Sequence, residues 1–155
     1  MSTHEFETKY FKYKDLLFRI AFTYVKNTED AEDILQEVFY RLLYKAPVFE
    51  NEEHEKRWLI RVTVNMCKNH LGLFWNKNKM EITDIDGWGM TKEETGILEE
   101  VLSLPDKIKT VIYLHYFEGY RCNEIAEILN IKESAVKMRL KKGRDLLRIE
   151  LEKGE

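Results

Sequence analysis

Glycine and proline are nearly missing from this chain, with 7 and 2 copies in 155 residues, and no Asn-Gly pair occurs. Tight hairpins depend on such turn residues. Their scarcity argues against a hairpin-rich β fold and points to an all-α protein. Cysteine is rarer still: Cys67 and Cys122 stand far apart, each inside a helical pattern. Two such residues give neither a disulfide framework nor a metal spacing. Reduced thiols are the plain reading, with a redox switch as the alternative. No apolar run approaches the ~20 residues that cross a bilayer. The polar start MSTHEFETKYFKYKD is unlike a secretory signal. A soluble, cytoplasmic chain is expected. A Gly-rich phosphate loop, a nucleophile–base pair and a metal-ligand cluster are also missing, and His4, His54, His70 and His115 are scattered. The expectation is no cofactor, no small-molecule substrate and no catalysis.

What is present suits short amphipathic helices: 44% apolar residues and 34% charged ones. The formal net charge of -3 hides a segregation. Residues 27–38 carry Glu29, Asp30, Glu32, Asp33 and Glu37 with no cation. Residues 56–79 carry Lys56, Arg57, Arg61, Lys68, Lys77 and Lys79 with no acid. Residues 81–106 are acidic again, and 132–144 are strongly basic. Blocks of alternating sign imply different partners for different surfaces.

Apolar spacing predicts a helix over 6–25, with Tyr10, Tyr13, Leu17, Ile20 and Tyr24 inward. A second begins near Asn27 or Thr28, turns Ala31, Ile34, Leu35, Val38 and Leu42 inward, and ends before Pro47. A loop follows over 46–56, then a helix over 57–75 with Leu59, Val62 and Met66 on one stripe. Its β-branched run Ile60, Val62, Thr63, Val64 also fits a strand. The polar stretch 76–96 reads as a flexible linker between two small helical domains, 1–75 and 97–155. In the second domain Pro105 opens a helix that Gly119 closes, and two shorter helices span 122–129 and 133–150.

Those last two helices have helix-turn-helix form. Ile125, Ala126 and Leu129 line the first, Asn130 holds the turn, Ile131 sits beneath it, and Val136, Leu140 and Leu147 face the core from the second. Ser134, Lys137, Met138, Lys141 and Lys142 then share an exposed face, with Arg144 beside it. Such a face suits the major groove, with Lys137 and Lys141 on base edges or phosphate and Arg139 and Arg144 on the backbone. The plainer alternative is a solvated basic helix in a small bundle. In the first domain Asp30, Asp33 and Glu37 follow at i, i+3 and i+7, a stripe suited to a basic partner, with Leu35 and Gln36 beside it. Arg57, Arg61, Asn65 and Lys68 form a second stripe at i, i+4, i+8 and i+11.

Three segments together resemble one family. NTEDAEDILQEVFYRLL resembles the polymerase-binding helix of region two in bacterial sigma factors of the extracytoplasmic-function (ECF) group, within the sigma-70 family. KRWLIRVTVNMCKNHL resembles the adjoining promoter-reading helix, and LPDKIKTVIYLHYFEGYRCNEIAEIL the opening of region four. The likeness covers nearly the whole chain, in family order. It departs at the turn, where Asn130 replaces the usual glycine, and in the recognition helix, which reads ESAVKMRLKKGRDLL where glycine-threonine-valine and lysine-serine-arginine are common.

The resemblance implies core RNA polymerase and promoter DNA as partners, with an anti-sigma factor, often membrane-anchored in the family, as a regulator. It implies that Asp30, Asp33, Leu35, Gln36 and Glu37 grip the polymerase. It implies that Arg57, Arg61, Asn65 and Lys68 hold the melted -10 strand, with Trp58 either wedging at its edge or filling the core. Phe49 and Asn51 become candidates for a pocket taking a flipped base. A stand-alone regulator using only the helix-turn-helix, and an adaptor that never reads DNA, are the competing expectations.

Overall fold

Ser2 opens the first helix: its Oγ accepts a hydrogen bond from the Glu5 N–H at 3.1 Å, and Glu5 lies at the positive end of the helix dipole. The computed structural model describes residues 1–74 and 99–153, side chains at 70–74 and 149–153 excepted. The chain divides into two units, Met1–Gly89 and Met90–Glu155.

The first unit holds α1 (Thr3–Val25), α2 (Thr28–Tyr44) and α3 (Glu52–Phe74). Helix α1 stops because Lys26 turns left-handed at φ 54, its N–H donating to the Phe22 carbonyl at 2.9 Å. Asn27 immediately caps α2, its Oδ1 accepting from the Asp30 N–H at 3.0 Å. Helix α3 starts at Glu52, earlier than the expected 57, because Asn51 caps it: the Asn51 Oδ1 accepts from the His54 N–H at 2.8 Å. The β-branched run forms helix and not strand. Its buried face is Leu59, Ile60, Thr63, Val64, Met66 and Cys67, while Val62 is only half-buried. The Thr63 hydroxyl satisfies itself on the Leu59 carbonyl at 2.8 Å. Each of the three helices packs on the other two. Leu17, Phe18, Ile20 and Phe22 from α1 meet Ile34, Val38 and Leu42 from α2 and Leu59 and Ile60 from α3 in the core. Burying each such side chain stabilises by about 1.5–3 kcal/mol. Among the described residues there is no strand.

The described part of the second unit begins in helix at 99–102, where Val101 is buried. The Pro105 carbonyl then accepts from the Ile108 and Lys109 N–H groups, starting α4 (Asp106–Ile112). A regular helix was expected as far as Gly119. Instead the backbone widens to a π turn over Tyr113–Phe117, with the Glu118 N–H donating to the Tyr113 carbonyl at 3.3 Å. Tyr113 and Phe117 stack across it, centroids 5.0 Å apart. Gly119 ends the segment at φ 73. A Cβ there would meet nothing within 4 Å, so conformation alone selects glycine.

Helix α5 (Cys122–Leu129) begins with the Glu124 Oε1 accepting from the Arg121 N–H at 2.9 Å. Asn130 is left-handed at φ 56 and ψ 50, as the turn requires. The Ile131 N–H donates to the Ala126 carbonyl at 3.0 Å and the Asn130 N–H to the Glu127 carbonyl at 3.4 Å, which is a Schellman closure. Helix α6 (Glu133–Lys153) then packs on both α4 and α5. Val136 and Leu140 are buried as expected, but Ile128 occupies the inner position foreseen for Leu129, and Leu129 and Leu147 are half-buried. Gly143 lets α6 come close to α4, where it is buried against Ile112 and Ile108.

Candidate functional site

Helix α2 exposes Glu29, Glu32, Asp33, Gln36 and Glu37, but not the whole foreseen acidic stripe. Asp30 is 0% exposed and Leu35 4%, so neither is available to a partner. Asp30 lies at the edge of the inward arc continued by Ile34 and Val38, at the end of α2 that two residues join to α1. Spacing alone places it with Asp33 and Glu37; the tight connection turns it inward. The structure adds Tyr40 and Tyr44, 50% and 68% exposed, with centroids 4.9 Å apart. At i+7 and i+11 from Asp33 they share its side of the helix, a signal legible in the spacing yet overlooked when only charge was followed. Glu37 also lies 3.8 Å from the Arg41 guanidinium.

On α3, Arg61, Asn65 and Lys68 form an exposed row. Arg57 heads it but is half-buried, its Nε donating to the Glu53 Oε1 at 3.0 Å. A phosphate would have to compete with that carboxylate. Trp58 is half-buried, neither core nor free wedge, and its ring lies 5.5 Å from Phe49. Phe49 also meets His54 edge-on at 5.3 Å. Asn51 is exposed, but its Oδ1 is committed to capping α3. Phe49 and Asn51 line a cleft of about 620 Å³ whose other wall is α1, including Lys9 and Lys12.

Sequence reasoning missed the polar group beside that cleft. Glu55, 6% exposed, receives the Tyr13 hydroxyl on Oε1 at 3.1 Å and the Lys9 ammonium on Oε2 at 2.6 Å. Burial, with the Glu55 charge adding, pushes the Tyr13 hydroxyl far above its ordinary range. Lys12 pairs with Glu52 at 2.7 Å, and this hydrogen bond holds the Glu52 carboxyl below its ordinary value. These partners are some forty residues apart in sequence, beyond any local pattern.

Helix α6 presents Ser134, Lys137, Met138, Lys141, Lys142 and Arg144 to solvent, while Arg139 is half-buried. Met138 is 72% exposed in the midst of these cations. Lys137 lies 3.5 Å from Glu133, and the Arg144 Nη1 donates to the Tyr116 hydroxyl at 3.3 Å, which steadies the guanidinium. Among the described residues no cluster of histidine, cysteine or acid has metal-binding form. Cys67 and Cys122 are unbridged.

Both units match known families in the order foreseen. Residues 10–72 match Sigma-70 region 2, and residues 96–147 match Sigma-70, region 4. The chain is 34% identical over 145 residues to RNA polymerase sigma factor SigV of Bacillus subtilis (strain 168), covering 91% of this chain and 87% of that one. The chain belongs to the ECF group of the sigma-70 family. A second relative from the same organism, ECF RNA polymerase sigma factor SigW, is 31% identical over 162 residues, covering 90% and 84%. The fold of this sigma factor also matches two solved structures at 18% identity. One is the sigma factor RpoE in complex with the anti-sigma factor NepR from Bartonella quintana, with TM-score 0.71 over 96% of this chain and 97% of that one. The other is CnrH in complex with the cytosolic domain of CnrY, with TM-score 0.75 over 99% and 92%.

The sigma factor directs core RNA polymerase to promoters, using its helix-turn-helix unit for the -35 element and its three-helix unit for the -10 element. Of the competing expectations, the stand-alone regulator and the DNA-blind adaptor fall away together, since neither accounts for both matched regions. Among the described residues no helix is long and apolar enough to cross a membrane.

Proposed function

We propose that Asp33, Gln36 and Glu37 on α2 dock this sigma factor on a basic helical surface of core RNA polymerase. Arg61, Asn65 and Lys68 hold the opened -10 strand, and Phe49 and the Asn51 amide face a base displaced from it. Arg57 joins them by exchanging Glu53 for phosphate, and Trp58 supports Phe49 from behind. Ser134, Lys137, Met138, Lys141 and Lys142 enter the -35 major groove, while Arg144 grips the backbone from its seat on Tyr116 and Arg139 acts from the helix flank. The observation that carries this reading is the sorting of exposed charge by segment: acids over 29–37 of α2, cations over 61–68 of α3 and over 137–144 of α6. Opposite signs suit a cationic protein surface and a polyanion.

The chain supplies binding energy and performs no chemistry itself; preferential binding of the opened strand shifts the duplex equilibrium. It acts in the cytoplasm and is held inactive by an anti-sigma factor, often membrane-anchored in this family, that covers one or both units. One fold neighbour was solved with the anti-sigma factor NepR and another with the cytosolic domain of CnrY, which supports this reading. The test is paired charge reversal. D33K/E37K abolishes holoenzyme assembly, and K137E/K141E leaves assembly intact while abolishing promoter-specific run-off. Normal assembly by D33K/E37K sinks the docking assignment.

A further inference from the structure

The loop at 46–51 owes its posture to α3. Phe49 rests on His54 and Trp58, and Asn51 caps the helix through the His54 N–H. The Glu50 N–H also donates to the His54 Nδ1 at 3.1 Å. Whatever places the first turns of α3 therefore places the loop.

Three carboxylates in those turns are paired, in different ways. Glu53 binds Arg57 of the same helix. Glu52 reaches Lys12 of α1, but its side chain is 82% exposed and solvent screens the pair. Glu55 is the shielded one. Its two oxygens are divided between two α1 residues one helical turn apart, Lys9 and Tyr13, and Tyr13 is itself only 3% exposed. Charge-assisted hydrogen bonds in such surroundings are short and directional. Two anchors on one carboxylate fix its position along α1 and its rotation about the α3 axis. Glu55 also lines the cleft that Phe49 and Asn51 line from the loop side.

We infer that Glu55, held by Lys9 and Tyr13, is the positioning residue that sets the 46–51 loop for reading the -10 element. The inference rests on the proposed role of that loop. Glu55 contacts no DNA; it acts through the start of α3.

The test uses holoenzyme reconstituted with core polymerase. Its template is a promoter found by mapping RNA 5′ ends after overexpression, with the -10 positions randomised. The readout is the run-off ratio between the preferred and the average -10 sequence. E55A lowers this ratio at least fivefold, and Y13F about twofold, while holoenzyme assembly stays within twofold. E55Q, which keeps an acceptor for Tyr13 and removes the charge facing Lys9, lowers it at least twofold and stands in should E55A fail to fold. V64A, a cavity in the same helix at a residue 1% exposed, lowers the melting temperature but leaves the ratio unchanged. An unchanged ratio in both E55A and E55Q overturns the inference, as does an equal fall in V64A. A wild-type library with no -10 preference overturns the loop's proposed role, and the inference with it.

Discussion

Replacing Gly143 by alanine adds one methyl group inside a helix, a change that usually stabilises by about 1 kcal/mol. Here the sign reverses. A Cβ at Gly143 falls 2.6 Å from the Ile112 Cδ1, 2.7 Å from its Cγ1 and 2.9 Å from the Ile108 Cγ2. Carbon atoms attract best at about 3.5–4.0 Å, so each contact is short by roughly an ångström. Ile112 is 1% exposed and Ile108 7%, which leaves neither an open side to swing into. Overpacking of this kind costs about 1–3 kcal/mol. Set against the helix gain, the net loss is about 1 kcal/mol, or roughly 4–8 °C for a unit of this size. Thermal unfolding of the full chain by far-UV circular dichroism measures it. Tryptophan fluorescence is an internal control, because Trp58 lies in α3 of the first unit and residues 99–155 contain no tryptophan. The shift appears in the dichroism and is smaller in the fluorescence. Ile112→Val removes the nearest atom. Alone it costs about 0.5–1.5 kcal/mol, and combined with G143A it recovers at least about 0.5 kcal/mol relative to additivity. A G143A chain as stable as wild type, or strict additivity in the double mutant, refutes the packing argument.

Three further outcomes are expected. Asn130 is left-handed, so N130V costs about 1–2 kcal/mol, whereas N130G, the commoner residue at this turn, stays within about 0.5 kcal/mol, both read by urea unfolding. Folding raises the Tyr13 hydroxyl above its unfolded value of 10.0, so its neutral form contributes stability that is complete below about pH 10 and lost as pH climbs beyond it; the alkaline fall in melting temperature is therefore shallower in Y13F. Arg144 is proposed to grip the DNA backbone, so R144A flattens the dependence of log binding constant on log salt by about 1 for holoenzyme on its promoter, with little change in sequence preference.

Features encoded by neighbours in sequence were the easiest to read in advance. Gly119 and Asn130 mark chain reversals because few residues tolerate positive φ, and both lie in that region here. The basic face of α6 follows from its spacing around Val136 and Leu140. Features decided by distant packing were harder. Asp30 shares its charge with Asp33 yet is buried, because burial depends on how α2 meets the rest of its unit and not on residue type. The start of α3 was misplaced because Asn51 is a capable cap hidden in a polar run whose acids look like loop. The Tyr13–Glu55 bond spans two helices, so no periodicity in either announces it. Leu129 and Ile128 exchanged places because adjacent apolar residues at a helix end differ by only 100° of rotation.

The π turn at Tyr113–Phe117 has a bearing on how the second unit varies in evolution. A wide turn holds one residue more than an α turn. Across it the helical phase slips by about 100°. An unbroken α-helix running from Asp106 to the same end point would carry one residue fewer. A single-residue insertion or deletion here can thus re-aim Tyr116, and with it the seat of Arg144, without exchanging any apolar side chain. Chain length at this one place is a means of tuning grip that substitution tables do not register.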